Sequence, residues 1–591
     1  MAALRTDKLS RKRKAKKSSV KRSAIAFCGN STEWNTEGVT YVGSIAEWLK
    51  SSPEGDWYAP DLQQHSQYLD ALFASSGWLI RHFEAGHTVI AMNVYPWHDG
   101  DTLDKLKPIF RVINASYLLA GKSLDEWHSL TGASSATVTA QLLETIEALE
   151  NVIHSAFDAN LAMTIPSTAM EAWKRCIPTG ETYSRQHADT EALARAAFFG
   201  GWNYSKDNEI HEHGVYFDAN SLYAFVMRRY GVPGGRAIAT RDYQTGDIGI
   251  YSVRVSGLYV GMINPVSVRV GFEVVHPVCE DEKDSFVTEM TSVDIETCRA
   301  WNITIAVISG FRFDTMIYPF GEFVDKCEKL RHSSERGTAL NAMARVLQAS
   351  LFGKFGAASV NKEVMITNAD LSTSGFTRAD CVVSINAPDT NVSDIARWVR
   401  DVPSKSGTIQ PVWAAFITAH ARAYVLGALA VAGAENLLYA ATDSLVLTQD
   451  GADKLLASEY CQDLSEYGQF KIVHRFLKFR SFAQNRYAGS AVTADGEYYV
   501  FGASSGLPVM PDTDYNALYA SWLEPAITTD EQALRAAKQV FSIDTKQALG
   551  YAREVAKEER IKAVQAKFKA NRLNQAARIA AEQAKRKIDR W

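Results

Sequence analysis

Two acidic residues lie where hydrophobic strands are predicted to end. Asp218 follows the apolar run VYF, and a helical turn is predicted directly after it. Asp443 lies in the stretch NLLYAATDSLVLTQDG, where predicted strands at 437–440 and 445–447 flank a tight turn of residues 442–444. An acid at the end of a buried strand is costly unless it is paired or bound to a cation. A pair of Mg²⁺ ions needs such acids, because Mg²⁺ prefers carboxylates, retains waters and shares its other positions with substrate phosphates. Two ions held there could activate a 3′-hydroxyl and stabilise a departing pyrophosphate.

Each acid also has an ordinary structural explanation. Asp218 could be an N-cap, since Asp suits the start of a helix. The turn around Asp443 could belong to a plain hairpin, in which Asp and Ser are common turn residues. The metal-site interpretation depends on both segments occurring in one chain with a third element between them. Ala219 would contribute only its backbone carbonyl.

The third element is a predicted helix in the stretch ERGTALNAMARVLQASLFGKFG, beginning near Gly337. Arg345 and Phe352 lie seven residues apart in this helix and therefore share a face. A cation and an aromatic ring on one face suit the binding of a triphosphate and stacking on a base. The alternative is a core helix with one surface arginine.

Length and composition describe a large globular protein. The chain has 591 residues, a formal net charge of −4, and 46% hydrophobic and 22% charged residues, which predicts three or four domains. No apolar run approaches the roughly 18 to 20 residues of a membrane helix, and no apolar core follows the basic N-terminal stretch, so neither a membrane span nor a secretory signal is expected. The 7 cysteines are scattered without a CxxC pair, which favours reduced thiols in a cytoplasm over disulfides or a zinc site.

Both ends of the sequence are strongly basic. Residues 5–22 carry 10 Lys or Arg and 1 acid, and residues 552–591 carry 12 basic and 5 acidic side chains. Such runs could be solvated tails. They could also bind phosphates of a nucleic acid, where each Lys or Arg releases a counterion.

The remaining pattern predicts a mixed helix and sheet protein. Residues 135–157 are predicted to form an amphipathic helix, residues 412–430 a buried helix of small residues, and residues 248–310 mostly sheet. The other expected elements are strands at 23–27 and 40–43, helices at 45–49 and 66–73, a loop at 506–514, helix from 530 onward and a protruding C-terminal helix.

Three motifs together resemble those of family B DNA polymerases, specifically the protein-primed branch of phages and linear plasmids. FDANSLYAF resembles the first polymerase motif of that family, RVLQASLFGKFG the second and YAATDSLVL the third. Further segments resemble the branch in the same order: RAAFFGGWNYSKDNEI the Tyr-x-Gly-Gly segment, VDIETCRAWNITIAVISGFRF the first terminal-protein region, WAAFITAHARAY the stretch before the third motif, and RSFAQNRYAG the Lys-x-Tyr primer segment. The resemblance covers roughly residues 20–530.

The resemblance implies an α+β fold with a right-hand palm, fingers and thumb, preceded by a ribonuclease H-like exonuclease-type domain. The implied bounds are a disordered basic tail at 1–22, a degenerate exonuclease-like domain at 23–175, palm and fingers at 176–490 with a terminal-protein-region insertion at about 248–330, a thumb at 491–544 and a basic C-terminal helix at 545–591.

The resemblance also implies site residues and partners. Asp218 and Asp443 would be catalytic and, with Ala219, would bind two Mg²⁺ or Mn²⁺ ions. Tyr223 would lie under the sugar and exclude a 2′-hydroxyl. The implied nucleotide-binding residues are Ala219, Ser221, Leu222, Tyr223, Arg331, Arg345 and Phe352, and the implied DNA- or primer-binding residues are Gly200, Gly201, Thr442, Arg486 and Tyr487. The implied partners are template and primer DNA, dNTPs and a terminal or priming protein, in the cytoplasm of the host of a phage or mobile element.

The polymerase motifs depart from the family pattern at several positions. Ala441 replaces the first Asp of the third motif, although the second, Asp443, is kept. Polar residues of the family are replaced by Ala349, Phe352 and Asn485, Arg345 stands for a Lys, and Ala224 stands for a Pro.

The exonuclease motifs depart further. Where the family has D-x-E, this chain has no acid until Glu33, the second motif aligns with Asp61 and His65, and the third with Ala140 and Glu144. A two-metal nuclease cannot lose most of its carboxylates and still hold both ions. The sequence therefore predicts no proofreading.

Three functions remain in view. The first is a template-directed DNA polymerase without its exonuclease that starts on a protein hydroxyl. The second is a polymerase-derived DNA-binding or scaffold subunit with weakened catalysis. The third is unusual nucleotidyl transfer, such as template-independent extension or priming.

Overall fold

A computed structural model describes the chain in segments: residues 9–10, 22–28, 31–36, 39–43, 56–59, 91–94, 111–114, 138–162, 164–270, 273–357, 360–367, 372–383, 395–403, 407–463, 466–504 and 514–525. The helices predicted at 45–49, 66–73 and from 530 onward, nearly all of the loop at 506–514, and both Asp61 and His65 lie outside these residues.

The part of the chain that the structure describes contains α-helices, short 3₁₀ turns and β-strands. The α-helices are α1 (Val138–Phe157), α2 (Ile165–Cys176), α3 (Ala188–Ala196), α4 (Leu222–Arg229), α5 (Ser292–Ala300), α6 (Gly321–His332), α7 (Ala339–Phe355), α8 (Pro411–Ala432), α9 (Gln449–Leu456) and α10 (Tyr515–Trp522). Short 3₁₀ turns occur at Ser372–Ser374, Ala434–Asn436 and Glu459–Cys461. The strands are β1 (Leu9–Ser10), β2 (Arg22–Cys28), β3 (Ser31–Thr36), β4 (Val39–Gly43), β5 (Asp56–Ala59), β6 (Ala91–Val94), β7 (Arg111–Asn114), β8 (Thr182–Tyr183), β9 (Asn203–Ser205), β10 (His211–Ala219), β11 (Val232–Gly234), β12 (Ile238–Thr240), β13 (Ile248–Ser256), β14 (Val268–Val270), β15 (Glu273–Val275), β16 (Phe286–Thr291), β17 (Thr304–Phe313), β18 (Thr315–Ile317), β19 (Val360–Thr367), β20 (Thr377–Val383), β21 (Ile395–Pro403), β22 (Leu437–Ala441), β23 (Ser444–Thr448), β24 (Phe470–Ala483), β25 (Arg486–Val492) and β26 (Tyr498–Ser504).

Two compact units share the chain. The first joins residues 1–185 with 319–410, and the second joins residues 186–318 with 411–591. The domain bounds predicted from the sequence stay predictions.

The first unit contains a six-stranded sheet in the order β4-β3-β2-β5-β6-β7. Strands β2, β5, β6 and β7 run parallel, and the hairpin β2-β3-β4 is antiparallel. The strands predicted at 23–27 and 40–43 and the helix predicted at 135–157 are confirmed within the described residues. Helices α2 and α7 pack through an edge-to-face contact between Trp173 and Phe355, whose ring centroids are 5.0 Å apart. The Trp173 Nε1–H also donates to the Pro319 carbonyl.

The second unit is built on a seven-stranded antiparallel sheet in the order β26-β25-β24-β10-β23-β22-β9. Val215, Phe217 and Ala219 alternate along β10 and are at most 1% exposed, so they form the core face. Tyr216 and Asp218 therefore face the opposite side of the sheet. A second, four-stranded sheet, β12-β17-β13-β16, packs with α5 around Tyr251 and Phe286, and confirms the prediction of mostly sheet at 248–310.

Helix α8 (Pro411–Ala432) is the buried helix predicted at 412–430. By length and composition alone it could cross a membrane, with a mean hydropathy of 1.4 over its best window, and it is the one such helix among the described residues. The expectation that no apolar run reaches that length is therefore wrong. Since 67% of that window is buried inside the protein, the apolar residues are explained by core packing.

Candidate functional site

The structure brings Asp218 and Asp443 together at the ends of neighbouring strands. In the pairing of β10 with β23, Asp218 lies opposite Ser444, the residue that follows Asp443. The Ala219 N–H donates to the Asp443 carbonyl at 2.7 Å. The backbone around one acid is thus bonded directly to the backbone of the other, although the two acids are more than two hundred residues apart in the sequence.

The turn that carries Asp443 is shorter than the sequence predicts. Strand β23 already begins at Ser444, which leaves Thr442 and Asp443 as a two-residue turn rather than the three residues expected. Thr442 has a φ of 55°, in the left-handed region that tight hairpin turns require. The Ser444 hydroxyl donates to the Ala441 carbonyl at 3.0 Å, which fixes the base of the turn.

The outer side of this turn is held by the segment that contains Gly200 and Gly201. The Thr442 N–H donates to the Trp202 carbonyl at 2.8 Å. A Cβ on Gly201 would lie 2.6 Å from both Thr442 Oγ1 and Cγ2, closer than side chains approach in proteins. Glycine is therefore required at 201 for the chain to reach the turn.

A buried arginine that sequence reasoning missed anchors the same segment. Arg422 of α8 is 4% exposed and donates through Nη1 to the carbonyls of Phe199, at 2.9 Å, and Gly200, at 2.8 Å. Its Nη2 pairs with Asp294 Oδ1 at 2.7 Å. Asp294 in turn closes a capping box with Thr291 at the start of α5. A lone Arg within the long apolar run WAAFITAHARAYVLGALA was the available signal, because a buried charge needs a partner.

The predicted nucleotide-binding residues after Asp218 form the start of α4. Ser221 precedes the helix with φ 51° and ψ 49°, and Leu222 is buried. Tyr223 follows, and burial raises the pKa of its hydroxyl to about 12, an effect that Arg422 opposes and the Asp443 carboxylate reinforces. The phenol therefore stays protonated at neutral pH and can donate a hydrogen bond close to both charges.

A lysine that sequence reasoning did not include lies against the first acid. Lys471 Nζ is 3.0 Å from Asp218 Oδ2, and both side chains are about one-third exposed, at 29% and 32%. The contact follows from register, because Asp218 lies opposite Lys471 in the pairing of β10 with β24. A lysine within the run QFKIV, at the start of a strand, was the only signal in the sequence.

The predicted primer residues Arg486 and Tyr487 lie on opposite faces of β25, since side chains alternate along a strand. The Tyr487 hydroxyl meets the Tyr216 hydroxyl at 3.2 Å, on the face that also carries Asp218. Arg486 is 4% exposed and lies on the other face. Asn485 has a φ of 54°, and its N–H donates to the Tyr439 hydroxyl at 2.9 Å. Tyr487 is therefore the member of the segment placed on the face of the sheet that carries Asp218.

Arg331, Arg345 and Phe352 belong to the first unit. Arg345 is exposed and Phe352 partly exposed on α7, so both lie on the accessible side of that helix. Arg331 lies in the last turn of α6, and its carbonyl accepts a hydrogen bond from Asn341 Nδ2 at 2.9 Å, which ties α6 to α7.

The donor set at the two acids suits a hard divalent cation. Asp218, Asp443 and the Ala219 carbonyl offer only oxygen ligands, which Mg²⁺ and Mn²⁺ accept. No group of three or more His, Cys, Asp or Glu occurs in the part of the chain that the structure describes. Waters and substrate phosphates would have to complete the coordination, as Mg²⁺ commonly requires.

Of the exonuclease positions, three lie among the described residues. Glu33 is in β3, paired through its backbone with Ala26 and Val42. Ala140 and Glu144 lie in α1, four residues apart and thus on one face of that helix.

Comparison with known proteins identifies the fold. Residues 136–395 match the family model described as DNA polymerase type B, organellar and viral. No curated protein matches the chain. The structure of phage phi29 DNA polymerase with primer-template DNA and incoming nucleotides is similar with a TM-score of 0.61 and 16% identity, over 84% of this chain and 94% of that chain.

Other structures of the same polymerase give the same result. The complex with single-stranded DNA has a TM-score of 0.58 and 16% identity, over 84% of this chain and 94% of that chain. The orthorhombic crystal form has a TM-score of 0.58 and 15% identity, over 86% and 95%. The predicted fold class and the resemblance to family B DNA polymerases are confirmed: the chain has the phi29 polymerase fold, that of a polymerase with an exonuclease-like domain.

Proposed function

We propose that this protein is a template-directed DNA polymerase that adds dNMPs to a 3′-hydroxyl at Asp218 and Asp443. The observation that carries the proposal is the backbone hydrogen bond from Ala219 to Asp443, which joins two acids from distant motifs at the ends of neighbouring central strands. The family B match and the phi29 polymerase fold support the reaction class. One of the phi29 polymerase structures contains primer-template DNA and incoming nucleotides, and we propose the same partners for this chain.

DNA polymerases generally use divalent metals, and we propose that Asp218, Asp443 and the Ala219 carbonyl hold two Mg²⁺ or Mn²⁺ ions here. The ions would supply Lewis acidity at the 3′-oxygen and the phosphates. The protein's own residues position the reactants. Tyr223, neutral at physiological pH, is proposed to lie under the sugar, and Arg345, Arg331 and Phe352 to bind the triphosphate and base.

Primer extension tests the proposal directly. Purified protein with a primed template, dNTPs and Mg²⁺ or Mn²⁺ should extend the primer, and Asp443→Ala should abolish extension. Asp450→Ala is the matched control, because Asp450 is an exposed acid seven residues further on and should leave extension unchanged. Equal incorporation by wild type and Asp443→Ala contradicts the proposal. Sequencing of the products separates templated copying from template-independent extension, because only copying yields the complement of the template.

Selection of dNTPs gives a second test of the same site. If Tyr223 packs under the sugar, Tyr223→Ala opens space for a 2′-hydroxyl and should raise the ratio of rNMP to dNMP incorporation. Tyr230→Ala, at the C-terminal end of the same helix, serves as the control. A ratio unchanged by Tyr223→Ala would assign sugar selection to another residue.

We propose further that the enzyme lacks proofreading. In the first exonuclease motif this chain has no acid before Glu33, and in the third motif it has Ala140 and Glu144 where the family has a tyrosine and an aspartate. Single-stranded DNA should remain intact with Mg²⁺ or Mn²⁺. Degradation from the 3′ end that is lost in Glu144→Gln would show an active nuclease.

Protein priming is proposed from the sequence segments that resemble the protein-primed branch. Both basic ends, residues 1–22 and 545–591, are proposed to bind DNA or a priming protein. Removal of either end should weaken DNA affinity and reduce the salt dependence of that affinity. The rate of a single incorporation step should fall by a smaller factor than the affinity does. Truncated proteins with unchanged affinity and salt slope would show that the ends are solvated tails.

A second candidate function, a polymerase-derived scaffold with weak catalysis, is favoured by one set of observations. Ala441, Ala349 and Asn485 each stand where the related motif has a polar or charged residue: an aspartate, an asparagine and a lysine, respectively. The backbone N–H of Asn485 donates to the Tyr439 hydroxyl. This candidate predicts salt-dependent DNA binding that needs no metal and is accompanied by no extension.

A further inference from the structure

The ion pair between Lys471 and Asp218 bears on how the proposed metal ions reach the site. Asp218 is flanked by Ser444 on one neighbouring strand and by Lys471 on the other. The lysine ammonium is 3.0 Å from one of the two oxygens that a metal ion would use. In this structure a fixed monovalent cation therefore already neutralises the carboxylate.

The charge of the site is low as a result. Asp218 and Asp443 contribute two negative charges, Lys471 contributes one positive charge, and Ala441 contributes none where the related motif has an acid. These three side chains sum to −1, so they attract a divalent ion more weakly than the two acids would without the lysine. A nucleoside triphosphate carries several negative charges and brings its own bound metal, so its arrival reverses this balance.

We propose that Lys471 is a positioning residue that holds Asp218 in the absence of nucleotide and keeps free divalent metal from occupying the site until a nucleotide delivers it. The inference rests on the proposed two-metal site and deepens it. Lys471 lies on a central strand of the sheet, opposite Asp218 in register, and this pairing brings the ammonium to 3.0 Å from the carboxylate.

An ordinary explanation competes with this one. Cross-strand pairs of opposite charge stabilise a sheet slightly, and partly exposed pairs contribute little to stability. A merely structural pair predicts a small loss of stability in Lys471→Met and no change in metal affinity. The gating role predicts a gain in metal affinity, which a structural role would not produce.

The magnitude follows from Coulomb repulsion. Repulsion between a singly charged and a doubly charged cation about 5 Å apart in water lowers the affinity for the divalent metal ion roughly tenfold. Lys471→Met keeps the length of the side chain and removes the charge. We therefore expect it to bind free Mn²⁺ about tenfold more tightly than the wild type.

The test is a Mn²⁺ titration of the full chain followed by electron paramagnetic resonance of the free ion, without DNA or nucleotide. Lys471→Arg should behave as the wild type, because it keeps the charge. Lys478→Met, an exposed lysine on the same strand, is the matched control and should change nothing. Asp218→Asn added to Lys471→Met should remove the gain, which locates the additional affinity at Asp218.

An affinity of Lys471→Met within about twofold of the wild type overturns the proposal, as does an equal gain in Lys478→Met. Thermal unfolding checks that each variant folds, and Lys471→Gln replaces Lys471→Met under the same criteria if the latter does not. Primer extension by the wild type is measured separately. Extension with no affinity gain rejects the role of Lys471 alone, whereas an affinity gain without extension rejects the proposed polymerase function alone.

Discussion

Gly201→Ala should disturb the catalytic turn through one identifiable contact. The new methyl group would lie 2.6 Å from Thr442 Oγ1 and Cγ2 and 2.7 Å from its Cβ, about 1 Å inside an ordinary contact. Overpacking of this kind costs about 1–3 kcal/mol of folding stability. Because Thr442 immediately precedes Asp443, the same displacement moves a proposed catalytic acid. A misplacement of about 1 Å can slow an enzyme roughly a hundredfold.

A double-mutant cycle with Thr442→Gly isolates the contact between residues 201 and 442. That substitution removes all three atoms that the methyl group would meet, and it suits the positive φ of 55° at this position. We expect Gly201→Ala to cost about 2 kcal/mol in the wild type and close to nothing in the Thr442→Gly background. Urea unfolding measures the stability, and single-turnover incorporation of one nucleotide measures the rate.

The control is Gly200→Ala, because no atom lies within 4 Å of the position that its Cβ would take. Gly200→Ala should therefore leave the free energy of unfolding close to that of the wild type. If Gly201→Ala costs the same stability in both backgrounds, the contact with Thr442 is not the cause and the reasoning fails.

The other predictions concern helix α8. Burial, partly opposed by Asp294, lowers the pKa of His420 to about 4, so this histidine is neutral in the folded protein while it protonates near pH 6.5 in the unfolded chain. The stability that neutral His420 contributes is full above pH 6.5 and is lost as the pH falls toward 4. Between pH 7 and pH 5 the free energy of unfolding should fall by about 2 kcal/mol from this cause. Urea unfolding at the two pH values measures the fall, and His420→Phe should abolish it. An equal loss in the variant would refute this assignment. Arg422→Met leaves Asp294, which is 13% exposed, without its cation and should cost about 3 kcal/mol of folding stability. Arg475 is an exposed arginine, and Arg475→Met should cost less than about 0.5 kcal/mol. Similar costs in the two variants would show that Arg422 is no anchor.

The sequence predicts those parts of the site that follow from local pattern. The apolar run before Asp218 and the two runs around Asp443 predict strands with acids at their ends, and the structure has β10, β22 and β23 there. The alternation of side chains along a strand could also have shown that Arg486 and Tyr487 face opposite sides of the sheet. Arg486 therefore cannot take the place of the lysine that Asn485 replaces, although the two positions are adjacent.

The remaining features depend on register and packing between distant segments. Lys471 meets Asp218 only because β24 pairs with β10 in one register, and no local pattern fixes that register. The role of Arg422 depends on the backbone of Phe199 and Gly200, which only the folded chain brings to α8. A helix of similar apolar content could equally have been a membrane span, and only its burial decides between the two.

The decisive measurement for catalysis at Asp218 and Asp443 is single-turnover incorporation of the template-directed nucleotide. Wild type, Asp218→Asn and Asp443→Asn are compared at saturating nucleotide and metal. Because metal-assisted charge stabilisation is worth several kcal/mol, each substitution should slow the step at least about a hundredfold while DNA affinity stays near that of the wild type. Incorporation at the wild-type rate by either variant would show that these two acids do not form the catalytic centre.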